Sequence, residues 1–144
     1  MNKRRQRWVL AFLWMTMIFL LSAQSGNESA NLSTSLFKPL YDLLIPFGLS
    51  ENVLSLIIRK TAHFISYLIL GILVYRAMDT YDIETSQKMY LSLLLCFGYA
   101  ISDEIHQLFV PGRSGTMIDV LIDGLGSATS IIFIYVKKSK GVKS

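Results

Sequence analysis

The chain has 144 residues, of which 52% are hydrophobic and only 17% charged, with a mean hydropathy of +0.45. That length suits one domain, and the balance is too apolar for an ordinary soluble protein and points to a membrane protein. The net charge of +4 gathers at the two ends, in Lys3-Arg4-Arg5-Arg7 and Lys137-Lys138-Lys140-Lys143; terminal clusters beside apolar runs are a topology signal, not the basic stripe of a nucleic-acid binder, so no nucleic acid is expected as a partner.

The first apolar run covers residues 8–23. Its basic start and Ala23 have the outline of a signal peptide, but Leu21 stands two residues before Ala23, where a small residue is needed. The run is read as a span. Residues 24–50 then open on a polar stretch, QSGNESANLSTS, followed by Leu36, Leu40, Leu43, Leu44 and Phe47. These five fall at i, i+4, i+7, i+8 and i+11, one face of a helix. Pro39 comes early in that helix and Pro46-Phe47-Gly48 ends it. Such a helix either lies in the outer membrane interface or packs on the bundle.

The second run, 61–75, reaches spanning length as 53–75 when Arg59, Lys60 and His63 are taken inside the helix. The third, 90–102, has a polar extension to residue 110, and the fourth covers 117–136. Cys96 is the only cysteine and sits in an apolar run, so no intrachain disulfide forms and the residue acts as a small core hydrophobe. The reading is one all-α domain: a polytopic membrane helix bundle of about four transmembrane helices, near 8–23, 55–76, 90–109 and 117–136, plus an interfacial helix in the first outer loop. Four spans put both termini and the 76–89 loop on one side. That side then holds Arg76, Lys88 and both terminal clusters, leaving Lys38, Arg59, Lys60 and Arg113 opposite. The excess of basic residues places both termini in the cytoplasm of a plasma-membrane protein.

Polar residues concentrate where the third run gives way to the fourth. Asp103, Glu104, His106, Gln107, Arg113, Asp119 and Asp123 fall within 21 positions. Ionisable groups at membrane depth are costly and normally face a protein interior or a wet cavity. The topology brings Arg59, Lys60 and His63 to the same depth, near the outer leaflet. Lys60, His63 and Tyr67 share one helix face at i, i+3, i+7. Asp103, His106 and Gln107 share another at i, i+3, i+4, as do Asp119, Asp123 and Gly126 at i, i+4, i+7. Glu104 lies about 100° from Asp103 and faces elsewhere, toward Arg113 or solvent. Gly126 allows close approach of another helix or a ligand, and Gly124-xxx-Ala128 is a small-xxx-small pair. Pro111-Gly112 reads as a tight turn. Ser114 and Thr116 are candidate N-caps of the fourth helix, whose free backbone N–H groups with Arg113 would make an anion site.

Several of these segments together resemble the VanZ-like family of small bacterial membrane proteins. They are Leu21-Ser22-Ala23-Gln24-Ser25, Arg59-Lys60-Thr61-Ala62-His63-Phe64 with Tyr67, Ser102-Asp103-Glu104-Ile105-His106-Gln107, Pro111-Gly112-Arg113-Ser114-Gly115, and 119–123 through to Gly126. The ordered set covers most of the chain. The resemblance implies a polytopic helical protein of the plasma membrane, in a family that takes its name from a protein giving low-level resistance to the glycopeptide teicoplanin, and it supplies no reaction. Ser66 departs from the pattern: many relatives carry Glu there, in a His-Phe-x-Glu-Tyr run, so an acid or metal ligand offered at that position is missing here.

Three functions fit the residues. In the first, the cluster binds a membrane lipid headgroup or lipid-linked cell-wall precursor: Arg59, Lys60 and Arg113 contact phosphate, and Tyr67, His106 and Gln107 hydrogen-bond the headgroup. In the second, a phosphoryl or acyl transfer on a lipid, Asp103, Glu104 or His106 is base or nucleophile and Arg113 and Lys60 steady negative charge. A metal variant uses His63, His106 and Asp103 with Asp119 or Asp123, a set suited to Zn, Mn or Fe. In the third, the charges form a buried ion-pair network that fixes helix register, with Asp119 capping its helix through Thr116-x-x-Asp119. A transporter would require an oligomer, because four helices leave little room for a path.

Overall fold

The computed structural model describes residues 2–141; Lys143 of the C-terminal basic cluster lies outside them. Six α-helices follow in order: α1 Lys3–Ser22, α2 Gly26–Leu36, α3 Lys38–Leu44, α4 Glu51–Met78, α5 Thr85–Gln107 and α6 Met117–Gly141. A short 3-10 turn, Ile45–Phe47, follows α3 and ends at Gly48, whose φ of 92° only glycine adopts freely. The all-α expectation therefore holds among the described residues.

α4 and α6 form the centre, with α5 against both and α1 against α4. Tyr67, Leu70, Val74 and Tyr75 of α4 meet Cys96 and Ala100 of α5, Val120 and Ile131 of α6, and Ala11 and Ile18 of α1. The seam between α4 and α6 is set by small residues, as the spacing of Gly126 predicts. A Cβ on Gly126 would sit 2.4 Å from the Phe64 carbonyl oxygen, and one on Gly71 would sit 2.7 Å from that of Ser127. Gly124 instead faces the Phe97 ring of α5.

Two of the expected spans, α4 and α6, are each long and apolar enough to cross a membrane. α1 meets that test only together with α2, from which it is bent by 107°. α5 carries Lys88 near its start and Asp103 and Glu104 near its end, so its apolar stretch is short.

All four long helices bring one end to a common point. Arg7 of α1 donates to the Arg76 carbonyl at 2.7 Å, and Trp8 Nε1 donates to the Tyr81 hydroxyl at 3.1 Å. Asp79, which caps α4, meets Arg7, Lys88 of α5 and Lys138 of α6. The starts of α1 and α5 and the ends of α4 and α6 thus share one end of the bundle. Residues 103–119 and the first half of α4 lie at the other.

Residues 24–50 depart from the sequence reading. The polar stretch is itself a helix, α2, started by a full capping box: Ser25 and Glu28 satisfy each other's backbone N–H. The Ser-x-x-Glu spacing held that signal. The helix expected over 36–47 is shorter, because Phe37 ends α2 and Pro39 starts α3 afresh. On α3 only Tyr41 and Leu44 pack inward, against Leu54 and Ile58; Leu36, Leu40, Leu43 and Phe47 are exposed. α3 thus packs on the bundle through Tyr41 and turns an apolar face outward. Ser25→Ala removes one side of the box and is expected to destabilise the protein by about 1 kcal/mol. A thermal melt unchanged by the substitution would show that tertiary contacts alone hold α2.

Candidate functional site

α2 is docked onto the α5–α6 hairpin. The hairpin turn is closed by the Arg113 N–H donating to the Val110 carbonyl at 3.1 Å, with Gly112 at φ 72°, as Pro111-Gly112 predicts. The Gly26 N–H donates to the Pro111 carbonyl at 3.1 Å, and a Cβ on Gly26 would lie 2.1 Å from the Gly112 oxygen. Only glycine fits there. The contact carries Ser29 of α2 to Arg113, whose guanidinium donates to the Ser29 hydroxyl at 3.4 Å.

Beneath this lid the expected polar residues come together in two layers. In the outer layer Lys60 pairs with Asp119. Asp119 also accepts from the Thr116 hydroxyl at 2.9 Å, while its own N–H donates to Thr116 Oγ1 at 3.2 Å. Thr116, rather than Ser114, is therefore the cap of α6. Asp119 belongs to a cap and an ion pair, as the structural reading had it.

In the inner layer are Asp103, Glu104 and Asp123, exposed by 1%, 5% and 0%. Asp103 accepts from the Ser22 hydroxyl at 2.8 Å. Gln107 Nε2 donates to Glu104 at 3.1 Å and to Asp103 at 3.4 Å. Glu104 also accepts from the Thr116 N–H at 2.9 Å. This corrects two expectations. Glu104 turns inward, away from solvent, and makes no ion pair with Arg113. It also takes the α6 N-terminal N–H that was expected to bind a ligand anion, because a buried carboxylate needs that donor. Gly115 permits the approach: a Cβ there would lie 2.4 Å from the Glu104 carbonyl oxygen.

His63 Nδ1 lies 3.4 Å from Asp123. Donor atoms of His63, Asp103, Glu104 and Asp123 all fall within 4.8 Å of one another. His106 is not among them; its ring stacks on Phe19 at 4.3 Å between centroids, and its Nε2 is buried without a hydrogen-bond partner. Tyr67 is fully buried between the helices, its hydroxyl likewise unpartnered. Neither His106 nor Tyr67 lines the two cavities that flank the cluster.

Two cavities meet here. A polar one of about 250 Å³ is lined by Lys60, Glu104, Gln107, Ser114, Thr116 and Asp119, among others. A mainly apolar one of about 290 Å³ runs between α1, α2 and α4, past Ile18, Leu21, Leu32, Leu36, Phe37 and Ile58. Arg59, His63 and Arg113 line both. Arg59 and Arg113 have no carboxylate within 4 Å among the described residues, and Arg113 Nε is buried without a partner. Burial, and then the neighbouring positive charge of Arg59, pull the Arg113 pKa below its ordinary value. The protein thus holds two guanidiniums together at the boundary between a polar and an apolar space.

Sequence reasoning missed Ser22 and Ser29. Both had signals: Ser22 stands in the Leu21-Ser22-Ala23-Gln24-Ser25 segment near the end of the first apolar run, and Ser29 follows the Ser25-Gly26-Asn27-Glu28 cap. It missed them because their roles depend on how α1 and α2 fold against α5. A family model described as VanZ/LLP1 matches residues 7–138. No curated protein and no solved structure matches.

Proposed function

The chain belongs to the VanZ/LLP1 family, and from that premise we propose that it is a multi-pass plasma-membrane protein that binds the phosphate-bearing headgroup of a lipid or lipid-linked cell-wall precursor. The observation that carries this reading is the pair Arg59 and Arg113, free of carboxylate partners and lining both cavities. Guanidiniums grip phosphate through paired, charge-assisted hydrogen bonds. Of the three cations expected to do so, Lys60 is already held by Asp119. The acyl or prenyl chain lies along the apolar wall of Leu21, Leu32 and Ile58, and the headgroup reaches toward Ser114 and Thr116.

In this reading all four long helices cross the membrane. α1 and α5 reach the interface through Arg4, Arg5 and Lys88 at one end, and α5 ends in the polar cluster at the other. The basic residues gathered around Asp79 put that end and both termini in the cytoplasm. The phosphate site then opens at the outer leaflet, and α3 rests its exposed leucines and Phe47 in the same interface. Low-level resistance to teicoplanin, which the protein that gave the VanZ-like family its name confers, would follow from holding a wall precursor or lipid in this site.

Native mass spectrometry of the detergent-purified chain tests the proposal. The expected spectrum contains a phosphate-bearing lipid that survives detergent exchange. A chain that carries none, and that takes up neither phosphatidylglycerol nor a prenyl diphosphate when these are added, would overturn it. Release of inorganic phosphate during the incubation would shift the reading from binding to transfer.

A further inference from the structure

Beneath the guanidiniums lies a charge problem that the anion site does not solve. Asp103, Glu104 and Asp123 come from two helices and are at most 5% exposed. Buried carboxylates are stable when paired or bound to a metal. Ser22, Gln107 and the Thr116 N–H satisfy one oxygen of Asp103 and both of Glu104. Asp103 Oδ1 and both oxygens of Asp123 have no hydrogen-bond partner. His63 Nδ1 lies 3.4 Å from Asp123 Oδ1, without the alignment of a hydrogen bond. The three strong cations at this end do not compensate, because Lys60 pairs with Asp119 and neither Arg59 nor Arg113 makes an ion pair.

The geometry points to a divalent transition-metal site formed by His63, Asp103, Glu104 and Asp123. Their donor atoms lie within 4.8 Å of one another. With bonds of about 2.1 Å, donors stand about 3.4 Å apart in a tetrahedral site and up to about 4.2 Å apart across an octahedral one, so the side chains close on the ion by up to about an ångström. One imidazole with three carboxylates is a hard, nitrogen-containing donor set. It suits Mn(II), Fe(II) or Zn(II), and it lacks the thiolate and thioether ligands that select Cu(I). The unpartnered oxygens of Asp103 and Asp123 are the ones left to bind it. Ser22 and Gln107 hold Asp103, and Thr116 holds Glu104, in the way outer groups fix metal-binding carboxylates. Since His63 also lines both cavities, the ion sits next to the place where phosphate would bind.

This site rests on carboxylates and not on the arginines, so the two readings fail separately. The test uses full-length protein in detergent, freed of lipid, with metal content measured by inductively coupled plasma mass spectrometry. About one Mn, Fe or Zn per chain is expected in the wild type, and less than a tenth of that in Asp123→Asn and Glu104→Gln. Asp79→Asn, which alters a carboxylate at the far end, should keep its metal. To separate loss of metal from loss of fold in the first two variants, the wild type is stripped with chelator and titrated with Mn(II) and with Zn(II). Saturation at one equivalent, with a rise of about 5 °C in melting temperature, is expected. Failure of the stripped wild type to bind either ion saturably would overturn the site, as would full metal content in folded Asp123→Asn.

Discussion

Replacing Arg59 and Arg113 together by alanine is expected to lower the affinity for phosphate-bearing lipid about 100-fold while the bundle stays folded. A hydrogen bond to a charged partner contributes roughly 1.5–3 kcal/mol. Two guanidiniums acting on one phosphate are not additive, so a combined loss of about 3 kcal/mol, about two decades in Kd, is the reasonable scale. Neither arginine makes an ion pair that its removal would strand, so the fold has little to lose. Lysine at both positions should recover part of the affinity, since charge is restored without the planar fork. Arg76→Ala serves as the control: Arg76 is exposed, at the opposite end of the bundle, and only its backbone carbonyl is used, by Arg7. Lipid retention measured by native mass spectrometry at matched protein concentration decides the matter. Equal retention by the double variant and Arg76→Ala would remove the arginines from the site.

Gly126→Ala is expected to destabilise the protein by about 3 kcal/mol, at the upper end of overpacking costs. The added methyl carbon would lie 2.4 Å from the Phe64 carbonyl oxygen and 3.3 Å from the Leu68 nitrogen. Both are backbone atoms of α4, which cannot rotate aside as a side chain would. The helices must separate, and the seam that places His63 beside Asp123 lies within a turn of that contact. The same substitution at Gly98 of α5, where an added Cβ meets nothing within 4 Å, should instead stabilise by up to about 1 kcal/mol through helix propensity. Unfolding of the two variants in mixed micelles supplies the comparison. Equal stability would mean that α4 and α6 pack more loosely than their glycines indicate.

The helices and the polar residues were legible in the sequence because both follow from local pattern. Apolar runs marked α1, α4, α5 and α6, and Pro111-Gly112 marked the hairpin between the last two. The i, i+3, i+4 spacings placed Lys60 and His63 on one face and Asp119 and Asp123 on another. α2 was harder to see, because its residues are too polar for a periodic apolar face and its helix depends on the Ser25–Glu28 cap. α3 was misjudged in extent because one apolar face was traced across Phe37, where the chain breaks and restarts.

The sequence by itself determined that this is a helical membrane protein, that most of its basic residues collect at one end, and that a cluster of four carboxylates, both histidines, Arg59 and Arg113 collects at the other. Hydropathy and charge are properties of each residue and need no partner to be read. Only the tertiary structure decided how those polar groups are shared out. Glu104 turned inward to the α6 N-terminus, Lys60 was taken by Asp119, and His106 stacked on Phe19 away from the other donors. That left Arg59 and Arg113 without acidic partners, and His63, Asp103, Glu104 and Asp123 around one point. The physical reason is that a charge's partner is set by which helix faces it at a few ångströms, and small residues such as Gly126, Gly115 and Gly26 set those distances between segments far apart in the chain.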